Sequence, residues 1–293
     1  MAEESFRIID ITGLEPFARG GTAECYRIDE DKILKLYFDQ GKKELISKEK
    51  ANAVEIIRND LPTALSYEIV TCGDRVGIIY EMINAVDISA TIRKDSSQAG
   101  HLGTEFAKLA KDLHSHIDSD GRFRPATFFM RRTAENLPYV SSKAKERILS
   151  LLDELDAYHS FLHGDFHPNN ALVTKDGLYL IDLVGFSNGC PAFDVATLLF
   201  SFYASPEPCV NGINPFNGLT VEQMDAFWTA FRKTYFGPDN IRIWELLPTI
   251  LLLKRMNFEQ FAGYKCTDEY RKAVRDDVIS VFEHGDPYPP LPV

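Results

Sequence analysis

At 293 residues, with 45% hydrophobic, 12% aromatic and 26% charged residues, the chain has the make-up of an ordinary globular protein. It is long enough for one large domain or two modest ones, which excludes disorder as its main state. A formal net charge of −11 works against phosphate backbones and anionic lipid, which argues against nucleic acid or a membrane surface as the main partner. Cys25, Cys72, Cys190, Cys209 and Cys266 are dispersed, with no C-x-x-C pair. This pattern, without a leader-like start or a run of about 20 apolar residues, fits reduced thiols in a cytoplasmic protein.

In chain order, short β-branched and aromatic runs predict strands over 25–28, 32–38, 67–71 and 76–80, with turn-forming residues 29–31 and 72–74 between the members of each pair. One helix is expected over 42–59, where Leu45, Ala53, Ile56 and Ile57 recur near helical spacing before Asp60-Leu61-Pro62 stops it. After Asn84 the periodicity turns helical, over 99–115, 142–158, 193–204, 221–234, 241–258 and 270–282. A strand-rich island interrupts these helices at 161–163, 171–173 and 178–181, its last two pieces flanking the turn Lys175-Asp176-Gly177. The expected class is α+β: a small antiparallel-sheet lobe with one helix over residues 1–83, then a larger, mainly helical lobe over 84–293.

The island holds the unusual polar residues. The stretch Phe161-Leu162-His163-Gly164-Asp165-Phe166-His167-Pro168-Asn169-Asn170 forms a loop between apolar strands, and Leu178-Tyr179-Leu180-Ile181 ends on Asp182, expected to face Asn170 across a narrow cleft. Phosphoryl transfer needs such a set. One carboxylate accepts the proton of an attacking hydroxyl, while an amide oxygen and a second carboxylate give hard oxygen ligands to the Mg²⁺ that neutralises a triphosphate. Asp165 takes the first role, Asn170 and Asp182 the other two.

His163-Gly164-Asp165 with Asn170, followed by Ile181-Asp182, resembles the catalytic and metal motifs of aminoglycoside phosphotransferases and choline kinase-like small-molecule kinases, which share the protein-kinase fold. Gly164 stands where protein kinases carry arginine, and Leu183-Val184 where they carry Phe-Gly, which favours a small-molecule acceptor. The resemblance implies a two-lobed protein-kinase-like fold with a nucleotide-binding first lobe and a catalytic, acceptor-binding second lobe. It extends to further residues. Ala18 to Glu24, with Gly20, Gly21 and Thr22, resembles the loop that covers the phosphates. Lys35, within Ile33-Leu34-Lys35-Leu36, resembles the lysine that holds the α- and β-phosphates. Glu49 resembles its helical partner, with Glu44 near enough to compete. The segment Ile79 to Ile83, with Glu81 and Ile83, resembles the hinge whose backbone meets adenine. Asp194, in Phe193-Asp194-Val195-Ala196, resembles the aspartate that braces the catalytic loop, and His163 has a supporting rather than catalytic place.

Each residue also has a plainer reading. The glycines could form only a hairpin turn, Lys35 could be a solvated edge-strand lysine, Asp194 a helix cap, and His167 either an acceptor contact or a cap before Pro168. The expected function is transfer of the γ-phosphate of ATP, with Mg²⁺, to a hydroxyl of a small molecule; the acidic balance hints at a cationic acceptor such as an aminoglycoside or an aminoalcohol. An ATP-binding pseudoenzyme or interaction module on the same fold is the alternative. A metal-dependent hydrolase using His159, His163, Asp165 and His167 lacks a second histidine cluster.

Overall fold

The computed structural model describes residues 6–38, 43–237 and 241–292, and the backbone alone of Lys43 and Leu45. The expected helix start at Lys42 and the apolar side chain of Leu45 therefore lie outside the described residues. The chain divides into two compact units: Met1–Val86 with Ala171–Gly185, and Asp87–Asn170 with Phe186–Val293. The segment carrying Asp182 thus groups with the first unit, whereas the expected division at 83/84 assigned it to the second lobe.

In the first unit, β1 (Arg7–Ile8), β2 (Pro16–Arg19), β3 (Ala23–Arg27), β4 (Lys32–Tyr37), β5 (Ser66–Cys72) and β6 (Arg75–Glu81) form one sheet in the order β1-β5-β6-β4-β3-β2. Every pair is antiparallel except β1 with β5. Strand alternation sorts the faces: Leu34 and Leu36 on β4 are buried with Tyr26, Val70 and Ile79, and the residue between them, Lys35, projects to the opposite face. Helix α1 (Lys43–Arg58) buries Ile46, Glu49, Ala53 and Ile56 along one side. The hairpin of β9 (Ala171–Thr174) and β10 (Gly177–Leu180) is tied to this unit by backbone and side-chain bonds. Leu180 N–H donates to Pro62 O (2.9 Å), Thr63 Oγ1 to Leu180 O (2.7 Å) and Asn52 Nδ2 to Leu183 O (2.9 Å). These bonds explain why a chain segment so distant in sequence belongs here.

The second unit follows β7 (Val86–Asp87) and is built from α2 (Ile88–Lys94), α3 (Gln98–Ser115), α4 (Phe128–Glu135), α5 (Ser142–Leu155), α6 (Ala192–Leu199), α7 (Val221–Tyr235), α8 (Ile241–Phe261) and α9 (Asp268–Ile279). Within it β8 (Ser160–Leu162) pairs antiparallel with β11 (Ser187–Gly189). Helices α3 and α7 pack so closely that a Cβ on Gly103 would lie 2.3 Å from the Phe227 carbonyl oxygen, so this contact admits no side chain. The expected helix over 193–204 ends its α-helical part at Leu199 and continues through Phe200–Ala204 as wider π turns, and α9 passes likewise into π turns over Ser280–His284. Among the described residues, no helix is long and apolar enough to cross a membrane.

Candidate active site

The first unit gathers three of the expected residues. Lys35 Nζ lies 2.7 Å from Glu49 Oε1 and 3.0 Å from Asp182 Oδ1. Glu49, only 1% exposed, also accepts hydrogen bonds from the hydroxyls of Tyr37 and Tyr80. Burial works to lower the Lys35 pKa, but the charges of Glu49 and Asp182 outweigh it and hold the ammonium above its ordinary value. Burial and the Glu49 charge push both tyrosine hydroxyls up, so they stay donors to the carboxylate. The competing Glu44 is exposed, so Glu49 is the helical partner of Lys35. Asp182 has φ +62°, a left-handed conformation that aspartate tolerates better than most residues and that is often kept at functional sites. With Oδ1 on Lys35, its Oδ2 has no partner among the described residues.

Gly20, Gly21 and Thr22 form the turn between β2 and β3, closed by Gly20 N–H to Ala23 O (2.9 Å), and Thr22 O accepts from Phe38 N–H (3.0 Å). Neither glycine has a positive φ, and a Cβ on Gly21 would meet nothing within 4 Å. The turn therefore does not itself demand glycine, and the space over it is open. Glu81 ends β6; its N–H donates to Leu65 O (2.9 Å) and its carboxylate accepts from Leu65 N–H (3.2 Å). Ile83 O is taken by Ala85 N–H, whereas the Ile83 N–H has no backbone acceptor among the described residues.

In the second unit, β8 delivers the chain into the loop 163–170. Phe166, at the centre of that loop, stacks on Phe106 of α3 with ring centroids 4.0 Å apart and planes within 7°, a contact worth about 0.5–1.5 kcal/mol beyond burial. Asn170 Nδ2 donates to Asp165 O (2.9 Å) and Oδ2 (3.0 Å), which leaves Asn170 Oδ1 without a hydrogen bond among the described residues. The donor side of this amide thus orients Asp165, and its oxygen is free to serve as a ligand. His167 Nε2 sits 3.3 Å from Asp165 Oδ2, and its Nδ1 is buried without a partner. Desolvation works to raise the Asp165 pKa, but the His167 hydrogen bond and the fields of His167, His163 and Lys254 hold it below the ordinary carboxylate range. The Asp165 side chain is 54% exposed.

Asp194 is fully buried at the start of α6 and accepts the backbone N–H groups of His163 (2.7 Å) and Gly164 (2.9 Å) and the ring of His114 (Nε2, 3.2 Å). It braces the loop from below. His114 is itself held by the Tyr235 hydroxyl at 2.7 Å from Nδ1. Burial works to raise the Asp194 pKa, but the His114 hydrogen bond and charge, with the loop contacts, depress it. A depressed folded-state carboxyl contributes stability above its unfolded value, near 4, and that contribution is lost as pH falls through the folded value. Acid titration followed by circular dichroism is therefore expected to show a loss of stability below about pH 4 that is markedly smaller in Asp194→Asn. The same acid sensitivity in both proteins would contradict this account.

A cavity of about 370 Å³ within the second unit opens onto Gly164, Asp165 and His167. Its walls come from α8 (Lys254, Asn257, Phe258 and Phe261) and from the π turns after α6 (Phe200 and Ser201). Nothing in the motif spacing marks α8 as part of a site. The one signal is Lys254 standing in the otherwise apolar stripe Leu247, Leu251, Phe258. The arrangement can hold a small molecule against a carboxylate oriented by an amide.

The chain is similar to known phosphotransferases in sequence pattern and fold. The family model described as the phosphotransferase enzyme family, APH, matches residues 13–241. No curated protein matches the chain significantly by sequence. Among solved structures, an amicoumacin kinase in complex with AMP-PNP, Ca²⁺ and Ami superposes with a TM-score of 0.62 at 14% identity, over 98% of this chain and 92% of that one. An ADP-bound aminoglycoside phosphotransferase APH(2'')-Ib gives 0.59 at 15% identity over 91% of each chain. A choline kinase from Cryptosporidium parvum gives 0.55 at 13%, over 93% of this chain and 90% of that one. At these identities the likeness is one of fold, the protein-kinase-like fold expected from the motifs. With the family match spanning most of the chain, and the Lys35–Glu49 pair and the braced 163–170 loop in place, this chain belongs to the phosphotransferase enzyme family.

Proposed function

We propose that this chain transfers the γ-phosphoryl group of ATP to a hydroxyl of a small molecule, the first unit serving as nucleotide-binding lobe and the second as catalytic and acceptor-binding lobe. The observation that carries the reading is Asp165, held by the amide of Asn170 and opening onto a cavity of substrate size. In the transfer, the acceptor oxygen forms a bond to the γ-phosphorus, the bond from that phosphorus to the bridging oxygen of ADP breaks, and the hydroxyl proton passes to Asp165. Asp165 orients the hydroxyl for attack and accepts its proton.

Lys35, fixed between Glu49 and Asp182, binds the α- and β-phosphates, and the backbone of Gly20, Gly21 and Thr22 covers them. Glu81 C=O and Ile83 N–H pair with adenine. Mg²⁺, when bound, neutralises phosphate charge, and the uncommitted hard oxygens suited to it are Asn170 Oδ1 and Asp182 Oδ2. For the hydrolase alternative, no group of three His, Cys, Asp or Glu that could hold a metal is present among the described residues.

The test is ADP release from Mg·ATP by the purified protein across a panel of hydroxyl compounds of differing charge. Acceptor-dependent release is expected. Tight Mg·ATP binding with no release above the acceptor-free rate from any compound would favour the pseudoenzyme reading.

A further inference from the structure

The face of α8 toward the cavity is not neutral. Lys254, Asn257, Phe258 and Phe261 follow one another at helical spacing, so one stripe offers two polar donors and then an aromatic wall continued by Phe200, whose ring lies 5.2 Å from that of Phe258. The Lys254 ammonium makes no ion pair or hydrogen bond among the described residues, although it feels the fields of Asp165 and Asp194. Asn257 Oδ1 accepts from Thr133 Oγ1 at 2.7 Å, which leaves its Nδ2 donors without an acceptor among the described residues. Asp165 supplies negative charge but is needed for the reacting hydroxyl. Lys265 and Glu207, exposed at the rim, offset each other.

An ammonium-rich acceptor would therefore bring like charge against Lys254, beside the unused Nδ2 donors of Asn257. Burial lowers the Lys254 pKa against the raising fields of the two aspartates, so an anion placed beside it would stabilise its charged form.

Resting on the phosphotransferase reading above, we infer that the acceptor carries a carboxylate-class anion bound by Lys254 and Asn257, with an apolar body against Phe200, Phe258 and Phe261. This departs from the cationic acceptor that the whole-chain charge suggested, because the sign of a pocket is set by the few side chains that line it.

Three probes matched in shape separate the charge classes: 3-phenyllactate, its neutral amide, and the amino alcohol phenylalaninol. Each is titrated calorimetrically into the full chain with Mg·ADP, then assayed for ADP release with Mg·ATP. The acid is expected to bind at least tenfold more tightly than the amide, and the amine more weakly than either. Lys254→Glu is expected to reverse the order of acid and amine, changing KM far more than kcat. Lys254→Met, which keeps the apolar stem, should remove the tenfold preference if the charge reversal proves unfoldable by thermal melt.

An acid that binds no more tightly than its amide, or a Lys254→Met protein that keeps the preference, overturns the inference. So does an equal loss of kcat for every acceptor without a change in KM, which would make Lys254 a tuner of Asp165. The underlying reading fails separately. Acid-selective binding with no turnover of any acceptor would spare the anion site and remove the transferase, whereas turnover of kanamycin or choline in preference to the acid would spare the transferase and remove the anion site.

Discussion

Asp165→Asn is expected to lower kcat by about 10²-fold or more while the affinity for Mg·ATP and the thermal stability stay near those of the parent protein. The split follows from where Asp165 sits. Its side chain is 54% exposed and takes no part in the Lys35–Glu49–Asp182 cluster, so removing its charge leaves the residues proposed to hold the phosphates and the packed core unaltered. An asparagine at this position can still accept the Asn170 Nδ2 hydrogen bond and keep the loop in place, but it cannot take a proton. Steady-state rates of ADP release at saturating ATP give kcat, and titration calorimetry gives the nucleotide affinity. Unchanged turnover would remove Asp165 from the chemistry. A parallel loss of nucleotide binding would move it to the nucleotide site.

Lys35→Met is the second large effect, and it has two parts. Glu49 is almost wholly buried and keeps the Tyr37 and Tyr80 hydroxyls as donors, yet without Lys35 its charge is uncompensated, a change that costs about 3–5 kcal/mol at comparable buried pairs. Loss of the phosphate contact proposed for Lys35 is expected to lower kcat/KM for ATP by about 10-fold to 10²-fold in addition. The two parts separate in the double variant Lys35→Met/Glu49→Gln. Neutralising both partners removes the stranded charge, so chemical denaturation should show most of the stability restored, while ATP use remains impaired. Restoration of both would make the pair purely structural, and restoration of neither would place the defect elsewhere in the fold.

The residues of these two predictions were legible in the sequence for different reasons. Asp165 and Asn170 stand out because several polar groups crowd a short loop framed by apolar strands, and Asp182 because it ends the apolar run Leu178-Tyr179-Leu180-Ile181 on a charge. Lys35 stands out because Leu34 and Leu36 bracket it, and strand alternation sends it to the face away from that core. Glu49 over Glu44 is a matter of helical phase. Ile46, Ala53 and Ile56 are buried, and position 49 falls on their side of α1 whereas 44 does not.

What escaped has physical causes as well. Strand β2 is exposed along its whole length, so no alternation marks it, and β1, β7 and β11 are only two or three residues long. Helix α2 is only seven residues long, with β-branched Ile88, Thr91 and Ile92, and its helical cues are confined to its ends: Ala90 N–H donating to the Asp87 Oδ1 cap at 2.8 Å, and Arg93 and Lys94 in the last turn. Helix α4 has no side-chain cap. His114 and Tyr235, which hold Asp194 from α3 and α7, sit far from it in sequence, and only tertiary packing brings them together. Lys254 and Asn257 escaped because one lysine and one asparagine among the five charged residues and the apolar positions of α8 make no motif, and their meaning comes from the cavity they line.

Lys35, Asp165, Asn170 and Asp182 are proposed to serve one magnesium-bound ATP. Titration calorimetry of ATP into the protein and into Asp182→Asn, each with and without Mg²⁺, measures this. Mg²⁺ is expected to tighten ATP binding to the parent chain, and most of this gain is expected to disappear in Asp182→Asn, whereas metal-free ATP affinity changes little. An equal gain from Mg²⁺ in both proteins would remove Asp182 from the metal.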